Sequence, residues 1–205
     1  MSNEGASLNM TQSQSAPRCR DKLETALARI ETVGDPAIFT RLYIDSARSA
    51  ADAADCRLQS GGSLGPLDGE IVTIKDLFDV AGEPTTAGSA ILRDAHAAVA
   101  DAVVVRRLRE AGGIILGKTN MTEFAYSGLG LNPHWGTPRN AFAHDRIPGG
   151  SSSGAGVSVA LGIADIAIGT DTGGSVRIPA SLNGVVGFKP TASRVPRAFG
   201  GSQIV

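Results

Sequence analysis

The sequence is poor in the features that mark metal-binding, disulfide-rich or membrane proteins. Its two cysteines, Cys19 and Cys56, lie far from each other and from any pair of histidines. They form no metal-ligand pattern, and two free thiols fit a reducing compartment, so we expect a cytoplasmic protein. No apolar run approaches the roughly 18 residues of a membrane span. The polar N-terminus also lacks the apolar core of a secretory signal, so no membrane association is expected.

The sequence also lacks an excess of charge of either sign. The formal net charge is -1 at pH 7, and no basic stripe runs through the 205 residues. Because nucleic-acid binding depends on clustered positive charge, we expect no direct nucleic-acid partner. Hydrophobic residues make up 42% of the chain, which is typical of an ordinary globular protein.

Glycine is abundant in the sequence, with 26 residues, whereas aromatic residues are few, at 4% of the chain. Glycine adopts positive φ without steric cost, so this excess indicates tight backbone turns around a site. Lysine is rare, and most of the positive charge comes from arginine. A lysine within an apolar stretch, as Lys75 is, therefore stands out.

The chain divides into a tail, a helical segment and a core. Residues 1–17 are polar and unpatterned, which predicts a disordered tail. Residues 18–60 are predicted to form N-terminal helices, one over residues 21–30 and a second over residues 36–59. Residues 61–205 form the predicted core.

Predicted strands and helices alternate through that core. Strands are predicted in EIVTIKDLFDVAGEPTT (two, separated by a bend), IILGKT, ADIAIGT and GVVGFKPT, and helices over residues 98–111, 119–128, 151–161 and 174–183. Strands that are apolar on both faces predict an α/β fold with a largely parallel or mixed sheet covered by helices. The chain ends at FGGSQIV, directly after a predicted strand and without a closing element, so we expect it to be truncated at the C-terminus.

Three segments carry candidate chemistry: VTIKD around Lys75, GGSSSG at 149–154 and GTDTGGSVRIP at 169–179. In the last segment, a buried strand leads through glycines into a helix, at the strand end where α/β sheets bind ligands. The unpaired amides of a helix start would stabilise an oxyanion beside the hydroxyl of Ser175. The alternative for Ser175 is a helix N-cap.

Lys75 and GGSSSG each have a plain structural alternative as well. Burial would lower the pKa of Lys75 and make it a base, whereas an ion pair with Asp76 or Asp79 would keep it charged. GGSSSG is part of a hydroxyl relay, an anion nest or an ordinary entry from a loop into a helix. The three histidines accompany no G-x-S-x-G elbow, so lysine is the better candidate base for a nucleophilic Ser175.

Together these segments resemble the amidase signature family over about residues 65–197. The resemblance includes GPLDGEIVTIKDLFDVAGEPTTAGS, DAVVVRRLREAGGIILGKTNMTEFAYSG and PGGSSSGAGVSVALGIADIAIGTDTGGSVRIPASLNGVVGFKPT. It implies that family's α/β fold with a mixed sheet, of which this chain would be the N-terminal portion. It also implies that a C-terminal half completes the sheet and the substrate pocket.

The resemblance further implies a Ser-Ser-Lys triad without a metal or an organic cofactor. Lys75 falls on the base, Ser151 on the relay serine that follows a cis peptide bond, and Ser175 on the nucleophile. Ser152 falls on a hydroxyl that helps to orient the lysine. The implied oxyanion hole is formed by the backbone of Thr172, Gly173 and Gly174.

The implied function is hydrolysis of a small carboxylic amide through an acyl-enzyme on Ser175. The family also contains the ammonia-releasing component of a tRNA-dependent amidotransferase, so a homodimer or companion subunits are candidate partners. An inactive fragment or interaction module is the third interpretation, and exposed apolar surface is expected to cause association. Ser153 and Ala155 depart from the family's usual GGSSGG, where we expect a small effect.

Overall fold

The fold is an α/β arrangement in which helices cover both faces of a mixed sheet. The computed structural model describes residues 18–195. The predicted tail, and residues 196–205 of the predicted core, lie outside the described residues. Over the described range, no helix is both long enough and apolar enough to cross a membrane.

The sheet has four strands within the described residues, in the spatial order β1-β3-β2-β4. The strands are β1 (Phe39–Leu42), β2 (Ile71–Lys75), β3 (Ile114–Thr119) and β4 (Ile166–Ile168). β2 pairs in parallel with β3 and β4, while β1 pairs antiparallel with β3. Every residue of β2 and β3 is buried, as expected for central strands covered on both faces. The predicted mixed sheet is confirmed.

Five helices surround this sheet in the described part of the chain. They are α1 (Cys19–Val33), α2 (Ile44–Gln59), α3 (Val103–Glu110), α4 (Ser153–Ala160) and α5 (Arg177–Leu182). Short 3-10 turns lie at Pro36–Ile38 and Glu123–Ala125. The helices predicted near residues 21–30, 98–111, 151–161 and 174–183 are thus present with shifted ends.

Small residues bring α1 and α2 together. On α2, Ala47, Ala51 and Ala54 recur at helical spacing and are buried in a cluster with Leu23 of α1. Behind them, the buried Asp55 carboxylate accepts hydrogen bonds from the backbone N–H groups at the start of α1, including that of Cys19 at 2.7 Å. This caps donors that the first turn of a helix cannot satisfy internally.

Two apolar cores lie on opposite faces of the sheet. One joins α1, α2 and α4 to Ile71, Ile114 and Leu116. The other packs α3 against Val72 and Ile74. Because side chains alternate along a strand, neighbouring residues of β2 enter different cores. Packing in both cores therefore fixes the position of β2 and of Lys75 at its end.

Four predicted elements are wrong. The helix predicted over residues 119–128 is reduced to the 3-10 turn Glu123–Ala125, and Thr119 ends β3. The predicted helix over residues 36–59 is interrupted by β1, since Phe39–Leu42 pairs with β3 instead of continuing the helical pattern. The segment after β2 turns rather than forming a second strand, and Glu83 N–H donates to the carbonyl of Val80. In GVVGFKPT, Val186 and Phe188 are 96% and 78% exposed, and no strand lies there within the described residues.

Candidate active site

Lys75 is the last residue of β2, and its side chain is fully buried. Its Nζ donates hydrogen bonds to the hydroxyls of Ser151 and Thr170, both at 2.7 Å. β2 and β4 run parallel, so their carboxyl ends meet at one edge of the sheet. Thr170 follows β4 closely, and this topology brings it to the lysine.

Burial shifts the proton equilibrium of this lysine. Desolvation disfavours the ammonium form and lowers the pKa of Lys75 to about 7, although the carboxylate of Asp171 opposes the shift. The ion pair proposed between Lys75 and Asp76 is not the one formed: Asp76 Oδ1 lies 3.4 Å from Nζ of Lys118. Lys75 therefore has hydroxyl partners and a substantial neutral population near pH 7.

The segment before α4 holds Ser151 tightly. The peptide bond between Gly150 and Ser151 is cis. The Ser151 carbonyl accepts from the N–H of Thr122 at 3.0 Å, and Gly150 N–H donates to the carbonyl of Gly128 at 2.8 Å. A Cβ on Gly150 would lie 2.7 Å from both Gly130 N and Thr122 Oγ1. The loop after β3 thus fits closely around a glycine and fixes the following serine.

The turn between β4 and α5 carries Ser175. Its carbonyl accepts a hydrogen bond from Ser152 N–H at 3.2 Å, so the turn is tied to the segment that contains Ser151. Ser175 is not the N-cap of α5, because the helix begins at Arg177 and the residue before it is Val176. The N-cap interpretation of Ser175 is therefore wrong.

Asp171 organises this turn in place of a capping serine. Its carboxylate accepts from Gly174 N–H at 2.8 Å and Val176 N–H at 3.2 Å. It also accepts two hydrogen bonds from the guanidinium of Arg177, each 2.9 Å long. The bonds from Arg177, followed by those from the backbone, hold the pKa of Asp171 well below its usual range. The carboxylate thus stays charged at neutral pH.

Three backbone amides in the turn remain unused. The N–H groups of Thr172, Gly173 and Ser175 form no hydrogen bond with any residue between 18 and 195. Thr172 and Gly173 are exposed and Ser175 is half-buried. The amide of Gly174, in contrast, is taken by Asp171. The turn therefore offers three donors near one hydroxyl, an arrangement that suits an anionic oxygen.

Two residues of this network were not predicted from the sequence. Thr170 contacts Lys75 directly, and its carbonyl accepts a hydrogen bond from the Ser152 hydroxyl at 3.5 Å. Asp171 lies within the GTDTGGS motif, but the sequence pattern gave it no role. The position of both residues directly after a buried strand was the signal that could have identified them.

No histidine in the described part of the chain takes part in the hydrogen bonds around Lys75, Ser151 and Asp171. His134 Nε2 instead lies 3.1 Å from Glu123 Oε1. Among residues 18–195, no three His, Cys, Asp or Glu side chains are grouped so as to hold a metal ion. The candidate site is built from hydroxyls, one lysine, backbone amides and the ion pair of Asp171 with Arg177.

Comparison with known proteins identifies the class to which this fold and site belong. The family model described as Amidase matches residues 21–202. The chain therefore belongs to the amidase family, as the resemblance to amidase signature enzymes predicted.

Particular relatives extend this finding. A 2-amino-5-chloromuconic acid deaminase of Comamonas testosteroni is 46% identical over 199 residues, which are 92% of this chain and 43% of the relative. The A subunit of the glutamyl-tRNA(Gln) amidotransferase of Acidothermus cellulolyticus is 50% identical over 173 residues, 83% of this chain and 34% of the relative.

A solved structure agrees with these sequence matches. The native peptide amidase of Stenotrophomonas maltophilia superposes with a TM-score of 0.81 at 37% identity, over 90% of this chain and 39% of that one. The present chain thus spans less than half the length of each of these three proteins.

Proposed function

We propose that this chain carries the catalytic triad of an amidase that hydrolyses carboxylic amide C–N bonds. The observation that supports this most strongly is the 2.7 Å hydrogen bond between Lys75 Nζ and Ser151 Oγ. It joins a buried lysine with a lowered pKa to a serine held by a rigid loop. Membership of the amidase family supports amide hydrolysis in general; the roles of the individual residues are our proposal.

In the proposed reaction, neutral Lys75 takes a proton from Ser151, which takes the proton of Ser175. The Ser175 oxygen attacks the amide carbonyl carbon and forms a tetrahedral intermediate. The proton returns through Ser151 to the nitrogen, the C–N bond breaks, and ammonia or an amine leaves. Water, deprotonated by the same relay, then attacks the ester on Ser175 and releases the carboxylic acid.

The oxyanion hole is proposed to use the unengaged amides of the turn. Thr172, Gly173 and Ser175 supply N–H donors that do not already bind the described protein. Gly174 has a φ of 127°, a conformation that side-chain-bearing residues rarely adopt, so it shapes the turn while its own N–H is held by Asp171. Donors fixed before the reaction stabilise developing charge without reorganisation.

A second candidate is the ammonia-releasing component of a tRNA-dependent amidotransferase. It is favoured by the 50% identity to the A subunit of a glutamyl-tRNA(Gln) amidotransferase. The chemistry at Ser175 would be the same, but the ammonia would pass to a companion subunit. Stable association with such a companion, together with glutamine as the preferred amide, would distinguish this candidate from a free-standing amidase.

The proposal is tested by ammonia release from a panel of small amides, with hydroxylamine added in parallel. We expect hydroxamates to form, because hydroxylamine intercepts an acyl-enzyme. Ser175→Ala and Ser151→Ala should each lose about a thousandfold or more in rate. Ser153→Ala removes a neighbouring buried hydroxyl and serves as the matched control. Ammonia release that persists in Ser175→Ala would exclude Ser175 as the nucleophile.

A further inference from the structure

A second polar site lies at the same sheet edge as Lys75 but on the other face. Lys118, next to last in β3, pairs with Ile74 across the sheet, whereas Lys75 pairs with Thr119. Side chains alternate along strands, so the two lysines point to opposite faces. Lys118 borders a cavity of about 90 Å³ that is lined mainly by charged and polar side chains. None of its lining residues belongs to the triad.

The acidic groups of this cavity already have cationic or hydroxyl partners. Nζ of Lys118 is 3.3 Å from Glu83 Oε1 and 3.4 Å from Asp76 Oδ1. Arg41 Nη1 lies 2.5 Å from the other oxygen of Glu83, and the hydroxyl of Thr86 donates to Asp76. The positive charges of Lys118 and Arg41 thus balance the negative charges of Asp76 and Glu83. The carboxylate oxygens of the cavity already accept hydrogen bonds or ion-pair contacts.

Hydrogen-bond donors, in contrast, are left over. Arg93 lines the same cavity and makes no ion pair or hydrogen bond through its guanidinium with any residue from 18 to 195. It stacks on Trp135, with its Cζ 5.1 Å from the ring centroid. The indole Nε1 of Trp135, also a lining residue, is buried without an acceptor in the described protein. A buried N–H without a partner is costly.

We propose that this cavity binds a small carboxylate, at a site separate from the Ser175 triad. The charges of Arg41, Lys118, Arg93, Asp76 and Glu83 leave one positive charge, and it sits on the arginine without a carboxylate partner. A carboxylate has acceptors only, which complements spare guanidinium and indole donors. The cavity has room for a group of only a few heavy atoms, which favours a free small molecule over a bulky one.

Trp135 makes the binding directly measurable, because it is the one tryptophan of the chain. Acetate is titrated at constant ionic strength while tryptophan fluorescence is recorded, with neutral acetamide as the shape-matched control. We expect a saturable change with acetate and none with acetamide. Arg93→Ala should weaken acetate binding by about tenfold or more, since it removes a charged donor. Arg107→Ala, an exposed arginine of α3, should leave the affinity unchanged.

Two further measurements show whether acetate binds independently of the proposed triad, and whether the cavity prefers a polypeptide to a free small molecule. Ser175→Ala should keep the full acetate response, so failure of the proposed amidase chemistry would not affect this result. A short blocked peptide with one glutamate should bind more weakly than acetate. The proposal would be overturned if acetate gave no response, or if acetate and acetamide gave equal responses. It would also be overturned if a folded Arg93→Ala bound acetate as tightly as wild type, or if the peptide bound more tightly than acetate.

Discussion

Lys75 combines a charge-forming side chain with surroundings that favour its neutral form. The pKa of Lys75 falls from 10.5 to about 7 through burial. Between these two values the unfolded chain binds a proton that the folded chain does not. Stability therefore falls as pH drops from about 10.5 to about 7, and the penalty is complete below that window. The base that we propose for catalysis thus destabilises the fold at neutral pH.

Replacement of this lysine should consequently stabilise the chain. Lys75→Met keeps an unbranched side chain, one heavy atom shorter, and removes the buried charge, so we expect a gain of about 1 to 4 kcal/mol near pH 7. The gain should shrink towards pH 10, because the unfolded chain then begins to lose the Lys75 proton that the folded chain has already released. Urea unfolding at the two pH values measures it. Lys189→Met, at an exposed lysine, is the control, and a Lys75→Met chain less stable than wild type at pH 7 would contradict the burial argument.

Residue types could be predicted from the sequence more readily than their partners. Lys75, Ser151 and Ser175 stand out by motif and resemblance, and the structure brings Lys75 and Ser151 into contact. The hydrogen bonds of Thr170 and Asp171 could not be predicted in the same way. They depend on which strand lies beside β2, and strand order arises from long-range packing rather than from local spacing.

Among the elements, α4 has a closely defined position, because its first turn packs directly against the backbone of Ile38 and Asn120. A Cβ added at Gly154 would lie 2.2 Å from the carbonyl oxygen of Ile38 and 2.8 Å from Asn120 N. Gly154 N–H also donates to the carbonyl of Asn120 at 3.0 Å. These contacts fix the helix that follows Ser151, so the position of Ser151, which we propose as the relay, depends on a residue without a side chain.

Gly154→Ala should therefore damage both stability and the site. Overpacking against backbone typically costs about 1 to 3 kcal/mol, and here it would displace the segment that carries Ser151. We expect a lower melting temperature and a loss of amide hydrolysis. Gly62→Ala is the matched control, since its added Cβ meets nothing nearer than 3.5 Å. A Gly154→Ala chain as stable and active as Gly62→Ala would show that α4 can shift without consequence.

The elements that sequence patterns predicted poorly are the short ones. β2 and β3 are rich in Ile, Val and Leu, and the sequence predicts both. β1 is four residues long, begins directly after a 3-10 turn and lies within a pattern that is typical of a helix. Its strand character comes from pairing with β3, where Gly117 allows the carbonyl of Arg41 to approach closely. Such tertiary pairing outweighs the local preference for a helix, and it cannot be predicted from the residues of β1 alone.

At the scale of the whole molecule, the β4 edge of the sheet pairs with no further strand between residues 18 and 195. A groove of about 400 Å³ runs along β4 and α4 and is lined largely by apolar residues. Val186 and Phe188 stand at this groove with 96% and 78% of their surface exposed. Contiguous exposed apolar surface of this kind favours association. The chain also spans only 43% of the deaminase relative and 34% of the amidotransferase relative.

The isolated chain should accordingly self-associate through this groove. We expect oligomers in sedimentation experiments and binding of an apolar fluorescent dye. Phe188→Lys should reduce both, because it places a charge in the apolar groove. Val99→Lys, at a residue that is 99% exposed but outside the groove, should have little effect. A strictly monomeric chain that binds no dye would count against an open apolar face.

The central claim, that Lys75 and Ser151 activate Ser175, is tested most directly by the rate of fluorophosphonate modification as a function of pH. We expect one adduct, mapped to Ser175 by mass spectrometry, and a rate that rises through about pH 7 as Lys75 loses its proton. Ser175→Ala should form no adduct. In Lys75→Met, the adduct should form far more slowly, at a rate that does not depend on pH near 7. A folded chain that forms no adduct at Ser175, or one whose modification rate is the same in Lys75→Met, would contradict the account.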